Sequence, residues 1–148
     1  MIEVGQKAPD FKLPDHDGND VTLADFAGKR LLLVFYPLDF SPLCTDQLSL
    51  YREIVPQLDE AGVEMVGISV DSAFAHAAFR EKLGVDTVLL ADFEPKGAVA
   101  SSFGAYIEGA GIASRALVLI DADGVVEWTY QTETPADIPP PSLILDAI

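Results

Sequence analysis

The stretch "GKRLLLVFYP", ending at Pro37, constrains the fold of this chain more than any other. Side chains along a strand alternate between its two faces, so the unbroken run "LLLVFY" puts apolar groups on both. Such a strand has to be covered on each side, which makes it the central strand of a sheet lying between two layers. The run falls far short of the ~20 apolar residues that a membrane helix requires. Pro37, with no N–H to donate, ends it.

The rest of the chain supplies the layers. "DFKLPDHDGNDVTLADF" reads as an N-terminal hairpin turning at Asp17-Gly18. From about Thr45 to Ala61, residues Leu48, Tyr51, Ile54, Val55 and Leu58 follow a helical period, which Pro56 should kink or interrupt. "VEMVGISV" is a second buried strand. Asp71-Ser72 then offers caps for a helix from about Ala73 to Leu83 that stops at Gly84. "DTVLLAD" is a short third strand, and "PKGAVASSFGA" a short helix with proline at its start. "SRALVLIDADGVVEWTY" is a hairpin around Asp123-Gly124, and "ADIPPPSLILDAI" ends as an apolar helix docked on the sheet. Residues 1–148 are expected to form a single α/β domain. Its first two buried strands, joined by a helix, should run parallel with a right-handed crossover.

Composition narrows the partners. Twenty-four acidic against nine basic residues give a net charge of −15, a surface that repels nucleic acid and anionic membranes. "MIEVGQKAPD" has neither the basic start nor the apolar core of a signal peptide, so a soluble, cytoplasmic protein is expected. His16 and His76 have no second ligand at metal spacing, and His76 in "AFAHAAF" reads as a packing or surface residue on a helix. Tyr36 and Trp128 read as core aromatics. With one cysteine there is no internal disulfide and no Cys-rich metal site.

That cysteine, Cys44, falls just past the first buried strand, at the sheet end where α/β folds place their ligand chemistry. A lone buried cysteine commonly serves as a small hydrophobe. Helix onset near Cys44, however, would turn free N–H groups and the positive end of the helix dipole toward the sulfur. That surrounding favours thiolate, the nucleophilic form. Ser41 offers a hydroxyl upstream, and Pro37 and Pro42 stiffen the loop.

"PLDFSPLC", Pro37 to Cys44, resembles the Pro-x-x-x-(Thr/Ser)-x-x-Cys signature of the peroxiredoxins. "APDFKLPDHDG", "VGISVDSAFAHAAF", "KGAVASSFGAY" and "RALVLIDADGVVEW" resemble segments of the same family in the same order. Nearest are the peroxiredoxin Q (bacterioferritin-comigratory) and one-cysteine alkyl hydroperoxide reductase E groups. The resemblance implies a thioredoxin-like three-layer sandwich with a mixed central sheet and N-terminal hairpin. It also implies a thiol peroxidase that uses no metal or other cofactor and reduces hydrogen peroxide or organic hydroperoxides.

Site roles follow from the same resemblance. Cys44 would be the peroxidatic cysteine, Ser41 would hold the peroxide, and Pro37 would shield the thiolate. Arg115 would bond the thiolate and the charge developing on the peroxide, and the backbone N–H groups of Leu43 and Cys44 would complete the cradle. Arg115 opens the strand before Asp123-Gly124; if that strand runs antiparallel to the first two, arginine and cysteine meet. Gln47 stands where many members carry a glutamate that can pair with this arginine, and Ser49 where many carry a resolving cysteine. With no second thiol, reduction would fall to an external thiol: a low-molecular-weight thiol, a glutaredoxin-like protein or thioredoxin. A homodimer through the loops around the site is a further implication. The competing readings are a thiol–disulfide oxidoreductase, which would normally carry Cys-x-x-Cys, and a thioredoxin-fold binding or holdase module with an inert cysteine.

Overall fold

The structure, a computed structural model, describes residues 1–148. A five-stranded sheet forms its middle. The central strand β3 (Arg30–Phe35) pairs in parallel with β4 (Val63–Ser69), and β4 pairs in parallel with β5 (Val88–Ala91). On the other side β3 pairs antiparallel with β8 (Ala116–Ile120), which turns into β9 (Val126–Gln131). The spatial order is β5-β4-β3-β8-β9.

Both faces of β3 are covered. Leu31, Leu33 and Phe35 join a core with Phe11, Leu13, Ala100 and Phe103, beneath the hairpin of β1 (Lys12–Pro14) and β2 (Asp20–Thr22) and the helix α4 (Ala98–Ser102). Leu32, Val34 and Tyr36 join the opposite core with Leu48, Tyr51, Phe79 and Ile144, contributed by the helices α1 (Pro42–Arg52), α3 (Ala73–Leu83) and α5 (Pro141–Ala147). Leu31 to Tyr36 are each no more than 1% exposed, so the apolar run does what its alternation requires. No helix is long and apolar enough to cross a membrane.

Some elements differ from the sequence reading. The helix expected from Thr45 begins at Pro42, because Ser41 caps it and proline suits a first-turn position that needs no N–H. It breaks at Glu53-Ile54, and α2 (Val55–Glu60) restarts with Pro56 in its first turn. Pro95 does not open α4; Gly97, at φ 71°, forms its N-cap. A small antiparallel hairpin, β6 (Tyr106–Ile107) with β7 (Ile112–Ala113), was not anticipated. Ser72 caps α3 and Gly84, at φ 64°, ends it, as the sequence indicates.

Candidate active site

Three elements bring the site together. β3 stops at Phe35 beside the start of β8, where Ala116 is its register partner. The loop from Tyr36 to Ser41 leads into α1, and Cys44 lies in that helix's first turn. Arg115 immediately precedes β8, so the antiparallel pairing carries it to the sheet end where β3 finishes.

Its Nη1 donates to Cys44 Sγ at 3.4 Å and to Gln47 Oε1 at 2.6 Å. Nε donates to the Pro135 carbonyl at 2.9 Å, so the chain beyond β9 holds the guanidinium from behind. Cys44 is fully buried and Arg115 is 2% exposed. A buried cation needs such partners, and here it faces a sulfur, an amide oxygen and a carbonyl but no carboxylate.

Ser41 Oγ accepts the Cys44 N–H at a long 3.4 Å, while the Leu43 N–H has no acceptor within the protein. The first turn of α1 thus holds two donors, on Leu43 and Cys44, with little else to bind. Pro37 is buried at the end of the strand, and Ser41 and Leu43 are half-buried. Gln47 continues the network: its Nε2 donates to Tyr51 Oη at 3.2 Å, and Tyr51 donates to the Pro139 carbonyl at 2.7 Å. Burial pushes the Tyr51 phenol up to about 12. Ser49 is half-buried on α1 and makes no side-chain hydrogen bond. The other arginines are engaged elsewhere: Arg30 with Glu127 at 2.8 Å, Arg52 with the Leu83 carbonyl, and Arg80 with the Thr87 and Asp86 carbonyls.

A second buried cluster was missed. His76 is fully buried, bonded through Nδ1 to Asp39 Oδ2 at 2.7 Å and through Nε2 to the Leu90 carbonyl at 2.9 Å. Tyr36 is not just a core aromatic, since its hydroxyl donates to Asp39 Oδ1 at 2.6 Å. Burial first, and then the neighbouring Asp39 charge, raise its phenol well above the ordinary range. One signal was available: a histidine that packs inside a helical layer is an imidazole that requires hydrogen-bond partners.

A first-turn cysteine on a helix at the end of a parallel strand pair, with a buried arginine donating to its sulfur, is set against a mixed five-stranded sheet of the thioredoxin-like fold. Residues 4–129 match the AhpC/TSA family, to which the chain belongs. It is similar to peroxiredoxin Bcp of Escherichia coli, 37% identical over 135 residues (87% of this chain, 85% of that one). It is also similar to alkyl hydroperoxide reductase E of Mycobacterium tuberculosis, 34% identical over 149 residues (100% and 97%). Among solved structures it resembles Enterococcus faecalis AhpC, with a TM-score of 0.89 and 28% identity, covering 99% of this chain and 91% of that one. Peroxidoxin BcpB from Mycobacterium tuberculosis matches with a TM-score of 0.87 and 28% identity, covering 99% and 96%. The chain is thus a peroxiredoxin, a thiol peroxidase, and its single cysteine agrees with a one-cysteine cycle.

Proposed function

We propose that Cys44 is the peroxidatic residue of a one-cysteine cycle carried by a single domain over residues 1–148. The Cys44 thiolate attacks the terminal oxygen of a hydroperoxide. An S–O bond forms as the O–O bond breaks, and the departing oxygen takes a proton to leave as water or an alcohol. An external thiol then attacks the sulfenic acid, releasing water and forming a mixed disulfide, and a second thiol frees Cys44. The reductant is a low-molecular-weight thiol, a glutaredoxin-like protein or thioredoxin, in keeping with a cytoplasmic setting.

The observation that carries this reading is the 3.4 Å contact of Arg115 Nη1 with the sulfur across 71 residues of sequence. Arg115 stabilises negative charge on the sulfur and on the parting oxygens. Ser41 Oγ and the Leu43 and Cys44 amides hold the peroxide, Pro37 excludes water, and Gln47 fixes the arginine. A homodimer fits the same end of the molecule. Leu38 and Phe40 on the catalytic loop, Phe74 at the start of α3 and Phe93 beyond β5 are exposed apolar groups at the carboxyl ends of the parallel strands. Phe74 is 90% exposed.

The test is intact-mass analysis after one equivalent of hydrogen peroxide in the presence of dimedone. The expected result is a single adduct on Cys44, over-oxidation with excess peroxide, and neither in Cys44→Ser. That substitution should lower turnover by at least about a thousandfold with the fold unchanged. Retained turnover in Cys44→Ser removes the assignment.

A further inference from the structure

Phe40, in the loop between β3 and α1, has a φ of 67° and is the only non-glycine residue with left-handed backbone. That conformation is disfavoured for an ordinary residue by roughly five- to thirtyfold and persists where the surroundings over-determine it. The phenyl ring alone is a weak anchor. It is 44% exposed, tilted against Phe79 at 5.1 Å, with the Lys82 ammonium 5.4 Å from its centroid.

The residue before it is held hard. Asp39 has a fully buried carboxylate that takes the Tyr36 hydroxyl on Oδ1 at 2.6 Å and His76 Nδ1 on Oδ2 at 2.7 Å. Its backbone N–H donates to Asp71 Oδ2 at 2.8 Å, and that oxygen also accepts from Ser69 Oγ at 2.6 Å. His76 Nε2 faces the Leu90 carbonyl at 2.9 Å, which can only accept, so Nε2 carries a proton. The Nδ1–Oδ2 contact then holds one further proton between ring and carboxylate. Gly67 makes room for this arrangement: a Cβ there would lie 3.2 Å from the Tyr36 ring and 2.7 Å from Leu89 Cδ2. Through one aspartate the loop is tied to the end of β3, to α3, to β5 and to the β4–α3 turn.

We propose that Asp39 and His76 form a clamp that holds Phe40 in its left-handed turn and thereby positions Ser41 and Pro37 over Cys44 for peroxide attack. This rests on the peroxidase reading above and makes both of them positioning residues. Ser41 follows Phe40 directly, and its 3.4 Å contact with the Cys44 N–H is long enough that a small rotation of the preceding peptide breaks it. The sulfur's own setting is governed from elsewhere, by Arg115. Loss of the clamp therefore harms the handling of peroxide and leaves the thiol otherwise reactive.

The experiment compares two rates at one sulfur: stopped-flow oxidation by hydrogen peroxide and alkylation by iodoacetamide, which needs no peroxide pocket. Asp39→Ala is expected to slow the first by about tenfold or more, as misplacement of a positioned group does, and the second by less than about twofold. Asp39→Asn should keep at least about half the peroxide rate, because its amide can donate to Nδ1 while its oxygen still accepts from Tyr36. Adding Phe40→Gly to Asp39→Ala should recover at least about threefold, since glycine takes positive φ without penalty. His76→Phe, expected to show the same split, serves in place of Asp39→Ala if circular dichroism shows that variant unfolded. Parallel loss of both rates, no loss of either, an asparagine variant as poor as alanine, or no recovery with glycine each overturns the clamp. A wild type without Cys44-dependent turnover overturns the peroxidase reading itself, a result distinct from normal turnover with no split.

Discussion

Two buried polar clusters flank the loop that leads into α1, and they are finished to different degrees. In the cluster of Tyr36, Asp39 and His76, the hydroxyl, both carboxylate oxygens and both ring nitrogens are all bonded, at 2.6 to 2.9 Å. In the cluster of Cys44, Gln47 and Arg115, the sulfur takes a single hydrogen bond, from Arg115 Nη1 at 3.4 Å, and Arg115 Nη2 makes no hydrogen bond within the protein. Both lie at the same end of the same sheet. A network whose members satisfy each other fixes geometry; one with an unused donor and a sulfur that takes a single hydrogen bond has capacity left for a substrate. The difference separates scaffold from reagent within a few residues of chain.

The largest effect should come from breaking the unfinished cluster. Arg115→Ala removes the charged donor beside the sulfur and should cut the peroxide rate by about 10²–10³-fold, the usual cost of losing one such donor. Raising the pH should not restore it, because the donor to the peroxide oxygens is still missing. Arg115→Lys should regain only a small part, since an ammonium keeps the charge without the planar fork that spans Cys44, Gln47 and Pro135. Stopped-flow oxidation across a pH series measures both. An unchanged rate in Arg115→Ala would make the two clusters equivalent and end the comparison.

The unfinished cluster was also the legible one. "LLLVFY" followed by a proline fixes the end of a doubly covered strand, and a cysteine at the next helix onset announces itself locally. The resemblance named Arg115, and its place just before β8 agrees with that role because β8 runs antiparallel to β3. The finished cluster was not legible, because its members are joined only by tertiary packing: His76 reaches Asp39 across 37 residues and Leu90 across 14. Nothing local in "AFAHAAF" names those partners. The hold on the arginine from Pro135 lies in an irregular segment with no periodic signal, and it went unread for the same reason. Proline misled at α4, where Gly97 rather than Pro95 begins the helix.

Gln47 gives an intermediate test. Its hydrogen bonds run in one direction, from Arg115 to the amide oxygen, from the amide nitrogen to Tyr51, and from Tyr51 to the Pro139 carbonyl. The amide both accepts and donates at that point, whereas a carboxylate only accepts. Gln47→Glu keeps the acceptor for Arg115, so the peroxide rate should fall far less than in Arg115→Ala. To meet the new carboxylate, Tyr51 must turn its one proton away from Pro139 and strand that carbonyl. Denaturant unfolding should therefore show a loss of about 1–3 kcal/mol. A glutamate variant as stable as the parent would mean that the direction of the chain does not matter.

The smallest effect concerns Tyr51 and alkaline pH. Its phenol titrates at about 12 in the folded protein, against 10.0 ordinarily, chiefly because burial disfavours the phenolate. The folded state thus holds this proton more tightly than the unfolded chain does. The resulting stabilisation is complete below about pH 10 and is lost as the pH rises toward about 12, because the unfolded chain ionises first. At pH 11 the share lost should be about 1 kcal/mol. Tyr51→Phe cannot ionise and should lose less stability over this window, although it starts lower at neutral pH for want of the bond to Pro139. Tyr36 is raised as well and remains in both proteins, so the difference between the two unfolding curves isolates Tyr51. The Tyr36 contribution belongs to the finished cluster, and the Tyr51 contribution to the chain that runs back to Arg115 and Cys44. Curves for parent and Tyr51→Phe that fall in parallel from pH 9 to pH 12 would show that Tyr51 does not hold its proton by burial, and that the Gln47–Tyr51–Pro139 chain is looser than its distances imply.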